Sequence, residues 1–197
     1  MTRNVNFNPG PAALPLEVLR TAQAELLDYQ GTGMSILESS HRSKEFEAVN
    51  DQTIALVREV LGLGEDYQVL FLGGGASTQF ALIPMNFIGD GQTAAYIDTG
   101  EFASKAMKEA QNIAKVHVAY SSKEEKYRRV PAMSEIKYPG DVAYLHLCSN
   151  NTIEGTQFQQ FPDTGRVPLV ADMSSDIASR RLDLKKFSLI YAGAQKN

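Results

Sequence analysis

The sequence predicts an α/β fold, a mainly parallel sheet flanked by helices, and two observations lead there. Short apolar runs of strand length recur along the chain, and stretches of helical periodicity lie between several of them. Strands that alternate with helices belong to parallel sheets, because a parallel pair needs a crossover that carries the chain back to the same edge.

The elements follow in order. Residues 1–15, MTRNVNFNPGPAALP, read as an N-terminal arm, and residues 16–197 as one body without repeat, low-complexity tract or Pro/Gly linker. Apolar residues at helical spacing predict helices over 16–29 and 43–61; in the second, Phe46, Val49, Thr53, Leu56, Val57 and Val60 share a face, with Ser43 as N-cap. Strands are predicted at QVLFL (68–72), TAAYID (93–98), AKVHVAY (114–120), VAYLHL (142–147), PLVAD (168–172) and SLIYA (188–192). Helical patterns follow the first two of these, over 77–87 and 102–112.

Composition narrows the function. At 197 residues, 43% hydrophobic and 21% charged, the chain has the make-up of a globular protein with a substantial core. No apolar run approaches the roughly 20 residues of a membrane-spanning helix, and the first ten residues lack a signal-peptide layout, so a cytoplasmic protein is expected. Cys148 is the single cysteine, which excludes an internal disulfide, and His41, His117 and His146 have no companions at metal-ligand spacing. The net charge of -4 gives no reason to expect nucleic acid as a partner, and the one dense basic run, KEEKYRR, is interleaved with glutamates.

Ligands of open α/β sheets bind beyond the carboxyl ends of the strands. There this sequence places GGGAST (73–78), TGEF (99–102), CSNNTIEG (148–155), Asp172 with MSSDI, and GAQKN. Three glycines running through Ala76 and Ser77 into a helix suit a phosphate, although they serve a tight turn as readily. Neither G-x-G-x-x-G nor G-K-[ST] is satisfied, since position 78 is Thr78. Asp172, at the end of an apolar strand, is a buried carboxylate in want of a partner or else a turn cap. Phe102 is core or a plate for a flat ring. Lys196, close behind Leu189, Ile190 and Tyr191, is a surface charge or a reactive amine. A phosphate cradle, an aromatic plate, a buried carboxylate and a lysine on one rim together suit pyridoxal 5'-phosphate.

The motifs NFNPGPAALP, GMSILESSHRSKEF, FLGGGASTQF, DTGEFASKA, SNNTIEGTQF, VADMSSDI and YAGAQKN resemble, in order and along the whole chain, the phosphoserine aminotransferase family of fold-type-I, class V enzymes. The resemblance implies the large domain that binds pyridoxal phosphate. In it Lys196 is the Schiff-base lysine and Asp172 the partner of the pyridinium nitrogen. Phe102 takes the ring-stacking place, where the family usually has tryptophan. Ala76, Ser77 and Gln195 hold the cofactor phosphate, Thr152 bonds the ring hydroxyl, and His41 and Arg42 bind the substrate's phosphate. The implied reaction moves an amino group between glutamate and 3-phosphohydroxypyruvate, giving O-phosphoserine and 2-oxoglutarate in serine biosynthesis, in a homodimer; a role in pyridoxine biosynthesis stays open. Family chains continue well past the lysine, so the expectation is an N-terminal part lacking the rest of the large domain and the small domain. The alternatives are another class V enzyme of alanine-glyoxylate or desulfurase type, a nucleotide-binding oxidoreductase, or an inactive fragment.

Overall fold

The computed structural model describes residues 3–8 and 10–196; Met1, Thr2, Pro9 and Asn197, which belong to the expected arm and to the GAQKN motif, lie outside the described residues. The chain divides into two compact units, Met1–Phe71 and Leu72–Asn197.

The first unit holds two helices, α1 (Leu16–Ala24) and α2 (Lys44–Leu61), neither with a buried residue. Helix α1 stops five residues short of the expected Tyr29. The reason is local: the Tyr29 N–H bonds the Met34 carbonyl at 2.9 Å instead of continuing the helix, and the Asp28 carboxylate takes the Gly33 N–H at 2.8 Å. Helix α2 matches its expected span. Ser43 caps it by accepting the Phe46 N–H at 3.2 Å, and Gly62, at φ 62°, ends it in the left-handed conformation that glycine adopts without strain.

The second unit is built on a five-stranded parallel sheet. Its strands are β1 (Ala94–Asp98), β2 (Val116–Ser121), β3 (Leu145–Cys148), β6 (Leu169–Asp172) and β7 (Leu189–Tyr191), in the order β2-β1-β3-β6-β7. A short antiparallel hairpin, β4 (Asn150–Asn151) and β5 (Thr156–Gln157), stands apart from it. Strands β1, β3 and β6 are buried throughout, as the centre of a parallel sheet requires. Helix α3 (Gly75–Phe87) buries Phe80 and Ile83, and α4 (Glu101–Gln111) buries Ala103, Ala106 and Ala110, a face of small side chains that lets the helix backbone lie close to its neighbours.

One expected strand does not form. Residues 68–72 pair with no strand among the described residues, and Leu70, Phe71 and Leu72 are 72%, 56% and 63% exposed. Apolar content and length predict the element, but a strand is stabilised by a ladder and a packed face, and here it has neither.

The core carries polar groups. The Tyr96 and Tyr144 hydroxyls meet at 2.7 Å, and His146 Nε2 meets the Tyr191 hydroxyl at 2.9 Å while its ring stacks on Tyr96 at 4.7 Å. Burial pushes the His146 pKa down to about 3, so this histidine is a neutral core group, and burial lifts Tyr144 to about 12.

Candidate active site

All five strands run the same way, so Asp98, Ser121, Cys148, Asp172 and Tyr191 end on one rim. From β1 the chain moves to β2 on one side and then returns to β3 on the other. The strand order therefore reverses between β1 and β3, and the loops leaving these two strands flank the crevice where such sheets bind ligands.

Asp172 lies in register between Cys148 and Tyr191 and is 4% exposed. Burial raises its pKa; the hydrogen bond from the Ser174 N–H, 2.9 Å to Oδ1, and the charge of Lys196 oppose that rise, while Asp176 adds to it. A carboxylate so placed is stabilised by a cationic N–H partner. The next loop is tied to the one carrying the lysine: Met173 N–H bonds Tyr191 O and Gly193 N–H bonds Ser174 Oγ, each at 2.9 Å. A Cβ at position 193 would lie 2.5 Å from Gln195 Oε1, so a side chain there would have to push the Gln195 amide aside. Lys196, half-buried, donates from Nζ to Thr152 Oγ1 at 2.9 Å.

Thr152 belongs to the β4–β5 hairpin, which is pinned on several sides. The Ser175 hydroxyl donates to Asn150 O at 2.8 Å, and the Asn151 amide donates to Thr99 at 3.2 Å and Thr156 at 3.0 Å. Behind the hairpin the buried Asp176 carboxylate accepts from Ser149 at 2.5 Å and Gln157 at 3.3 Å, with Arg180 3.7 Å away. Glu154 reaches the start of α4, accepting the Glu101 N–H at 2.8 Å. One residue further, Phe102 is 37% exposed, with Lys105 Nζ 5.5 Å from its ring centroid.

Helix α3 has the features of an anion cradle at its start. It opens at Gly75, φ 70°, behind the N-cap Gly74, φ 94°, and no side chain among the described residues caps it. The N–H groups of its first turn, those of Ala76 and Ser77 among them, have no intrahelical acceptor and sit at the positive end of the helix dipole. Space beside Gly73 and Gly75 is open, since a Cβ on either would meet nothing within 4 Å. Phe80 of α3 packs edge-on against Tyr191 of β7, with ring centroids 6.2 Å apart.

Lys196, Thr152, Asp172 and Gln195 are thus held by loops that bond one another, and Phe102 is linked to them through Glu154. His41 and Arg42 lie in the first unit, exposed in the turn before α2, where the Arg42 N–H bonds Ser40 Oγ at 3.2 Å. Sequence reasoning did not single out Ser174, Asn151, Glu154 or Asp176. Each lies in the stretch that follows β3 or β6, and polar side chains of these types are common in any loop. The donor set fits a flat, phosphorylated ring with a basic nitrogen: an anion cradle, an aromatic plate, a buried carboxylate and an amine.

A family model, aminotransferase class-V, matches residues 4–197. A phosphoserine aminotransferase of Niallia circulans is 60% identical over 195 residues, 99% of this chain and 54% of its own length. Among solved structures, phosphoserine aminotransferase from Bacillus circulans subsp. alkalophilus superposes with a TM-score of 0.95 at 60% identity, covering 98% of this chain and 53% of that one. The PLP-bound phosphoserine aminotransferase of Trichomonas vaginalis does so with a TM-score of 0.89 at 40% identity, covering 99% and 55%. The chain spans about half the length of the curated relatives it matches. With the family model covering nearly all of it, the chain belongs to the class-V aminotransferase family.

Proposed function

We propose that this chain carries the cofactor-binding part of a phosphoserine transaminase that exchanges an amino group between glutamate and 3-phosphohydroxypyruvate. The contact of Lys196 Nζ with Thr152, beside the buried Asp172, carries this reading. Likeness at 60% identity to a protein named phosphoserine aminotransferase supports it. The cofactor is pyridoxal 5'-phosphate, which supplies an aldehyde for a lysine and a ring that accepts electrons from the substrate carbon.

Each residue has a stated task. Lys196 is the amine that would hold the cofactor, and with that amine free its Nζ would carry the proton from the substrate α-carbon to the cofactor's C4' carbon. Asp172 holds a proton on the ring nitrogen through its carboxylate, and Thr152 offers its hydroxyl to the ring oxygen. Phe102 covers the ring face. First-turn N–H groups of Ala76 and Ser77, with Gln195, receive the cofactor phosphate. Arg42 presents a planar fork of donors to the substrate phosphate, with His41 beside it.

The full-length enzyme works as a cytoplasmic homodimer in serine biosynthesis. No helix among the described residues is long and apolar enough to cross a membrane. Borohydride reduction of the full-length, cofactor-loaded enzyme followed by peptide mapping is expected to leave the pyridoxyl group on Lys196. Label on Lys105 or Lys108 overturns the assignment.

A further inference from the structure

Where the loops after β1 and β3 diverge, the gap between them is bridged by side chains rather than by sheet. Glu154 is the only acidic residue of the β4–β5 hairpin, and its Oε1 accepts the N–H of the first residue of α4 at 2.8 Å, placing negative charge at the positive end of that helix. Its other oxygen, Oε2, is buried without a hydrogen-bond partner among the described residues. Keeping a carboxylate oxygen shielded and unpaired is unfavourable, and a residue needed only to cap a helix would do so from water. The approach is also as close as it is because residue 100 is glycine: a Cβ there would lie 2.6 Å from Glu154 Oε2 and 2.9 Å from Asn151 Oδ1. Gly155, at φ 71°, turns the hairpin back, with its N–H on Asn151 O at 2.8 Å.

Two residues before Glu154 stands Thr152, which meets Lys196, and one residue after the capped N–H stands Phe102. We propose that Glu154 is a positioning residue: it locks helix α4, and with it the Phe102 ring, to the hairpin that carries Thr152, and so sets the spacing between the ring plate and the groups that grip the ring's edge. The inference rests on the reading of the site given under Proposed function. A plain structural cap would stabilise the protein equally with and without cofactor, whereas a positioning residue shows itself in the cofactor's binding and spectrum.

The test uses the full-length enzyme, stripped of cofactor and titrated with pyridoxal 5'-phosphate. Visible absorbance, the induced circular dichroism of the bound cofactor and the thermal midpoint of the apo form are followed. Glu154→Ala is expected to raise the Kd about tenfold, because the ring plate and the Thr152 loop are then no longer held ready at one spacing, and to weaken the induced dichroism while leaving the apo midpoint nearly unchanged. Glu154→Gln keeps an oxygen for the Glu101 N–H and is expected to stay within about threefold of the unsubstituted enzyme. An unchanged Kd and dichroism in Glu154→Ala overturns the proposal. So does an equal loss in Glu154→Gln, or a loss that follows a fall in the apo midpoint. If the unsubstituted enzyme shows no visible band, or keeps one in Lys196→Ala, the reading of the site fails first and the role of Glu154 goes with it.

Discussion

Asp172 sets a burial cost in the empty protein against the role proposed for it in the loaded one. Its folded pKa is raised, chiefly by burial, so its contribution to stability is present below the ordinary carboxylate range and lost as pH rises through the raised value. At neutral pH, Asp172→Asn in the full-length enzyme should therefore leave the apo form at least as stable. Turnover should fall by about a hundredfold or more, because a neutral amide cannot hold a protonated ring nitrogen. Turnover close to that of the unsubstituted enzyme would remove Asp172 from the chemistry. Arg42 poses a different question, since it is exposed in a turn and its role rests on guanidinium geometry. Arg42→Ala is expected to reduce kcat/KM for phosphoserine at least about tenfold more than for an unphosphorylated amino acid, and an equal loss for both would mark a structural role.

Within the elements, His146 sits in the middle of the sheet with a pKa pushed to about 3 by burial alone. Unfolded, it protonates near its ordinary value, so the unfolded chain takes up the proton first and stability falls as pH drops from about 6.5 toward 3. His146→Phe, which keeps a ring beside Tyr96 but does not titrate, should lose about 2 kcal/mol less stability than the native protein between pH 7 and pH 5. Equal losses, measured by chemical denaturation of the full-length enzyme at both pH values, would remove His146 as the cause. Gly100→Ala is a second handle at this scale: its added methyl must displace the Glu154 carboxylate, so cofactor affinity should drop by a few-fold. Undiminished binding would show that the carboxylate can move without effect. Most elements were legible in the sequence because periodicity and caps act locally, as at Ser43 and in the buried runs of β1, β3 and β6. Residues 68–72 were not, because a ladder partner is supplied by another part of the chain, and the end of α1 was not, because the apolar spacing runs on past Ala24 while the Tyr29 to Met34 hydrogen bond turns the backbone out of the helix. The site divides the same way. Lys196 and Asp172 follow apolar strands and so stand out as candidates in the sequence, and Thr152 does so only through the family resemblance, whereas the contacts of Glu154 and Asn151 arise where two distant loops meet.

Over the whole molecule, exposed apolar residues are numerous: Leu27, Leu37, Val60, Leu70, Phe71 and Leu72 are among them. The relatives are nearly twice as long. A polypeptide of residues 1–197 alone is therefore expected to bind a dye for exposed apolar surface and to show no measurable transamination, while the full-length enzyme binds little dye and turns over. Turnover by the 197-residue polypeptide at the full-length rate would contradict this. The aromatic plate has a consequence of an optical kind. None of the 197 residues is a tryptophan, and Phe102, exposed on the first turn of α4, is the residue proposed above to stack on the ring, without an indole. Light absorbed only by indoles passes through this part of the protein unanswered. Phe102→Trp would install the one indole of these 197 residues there, and quenching of its fluorescence as a coloured ligand arrives would report whether the ring comes to this place.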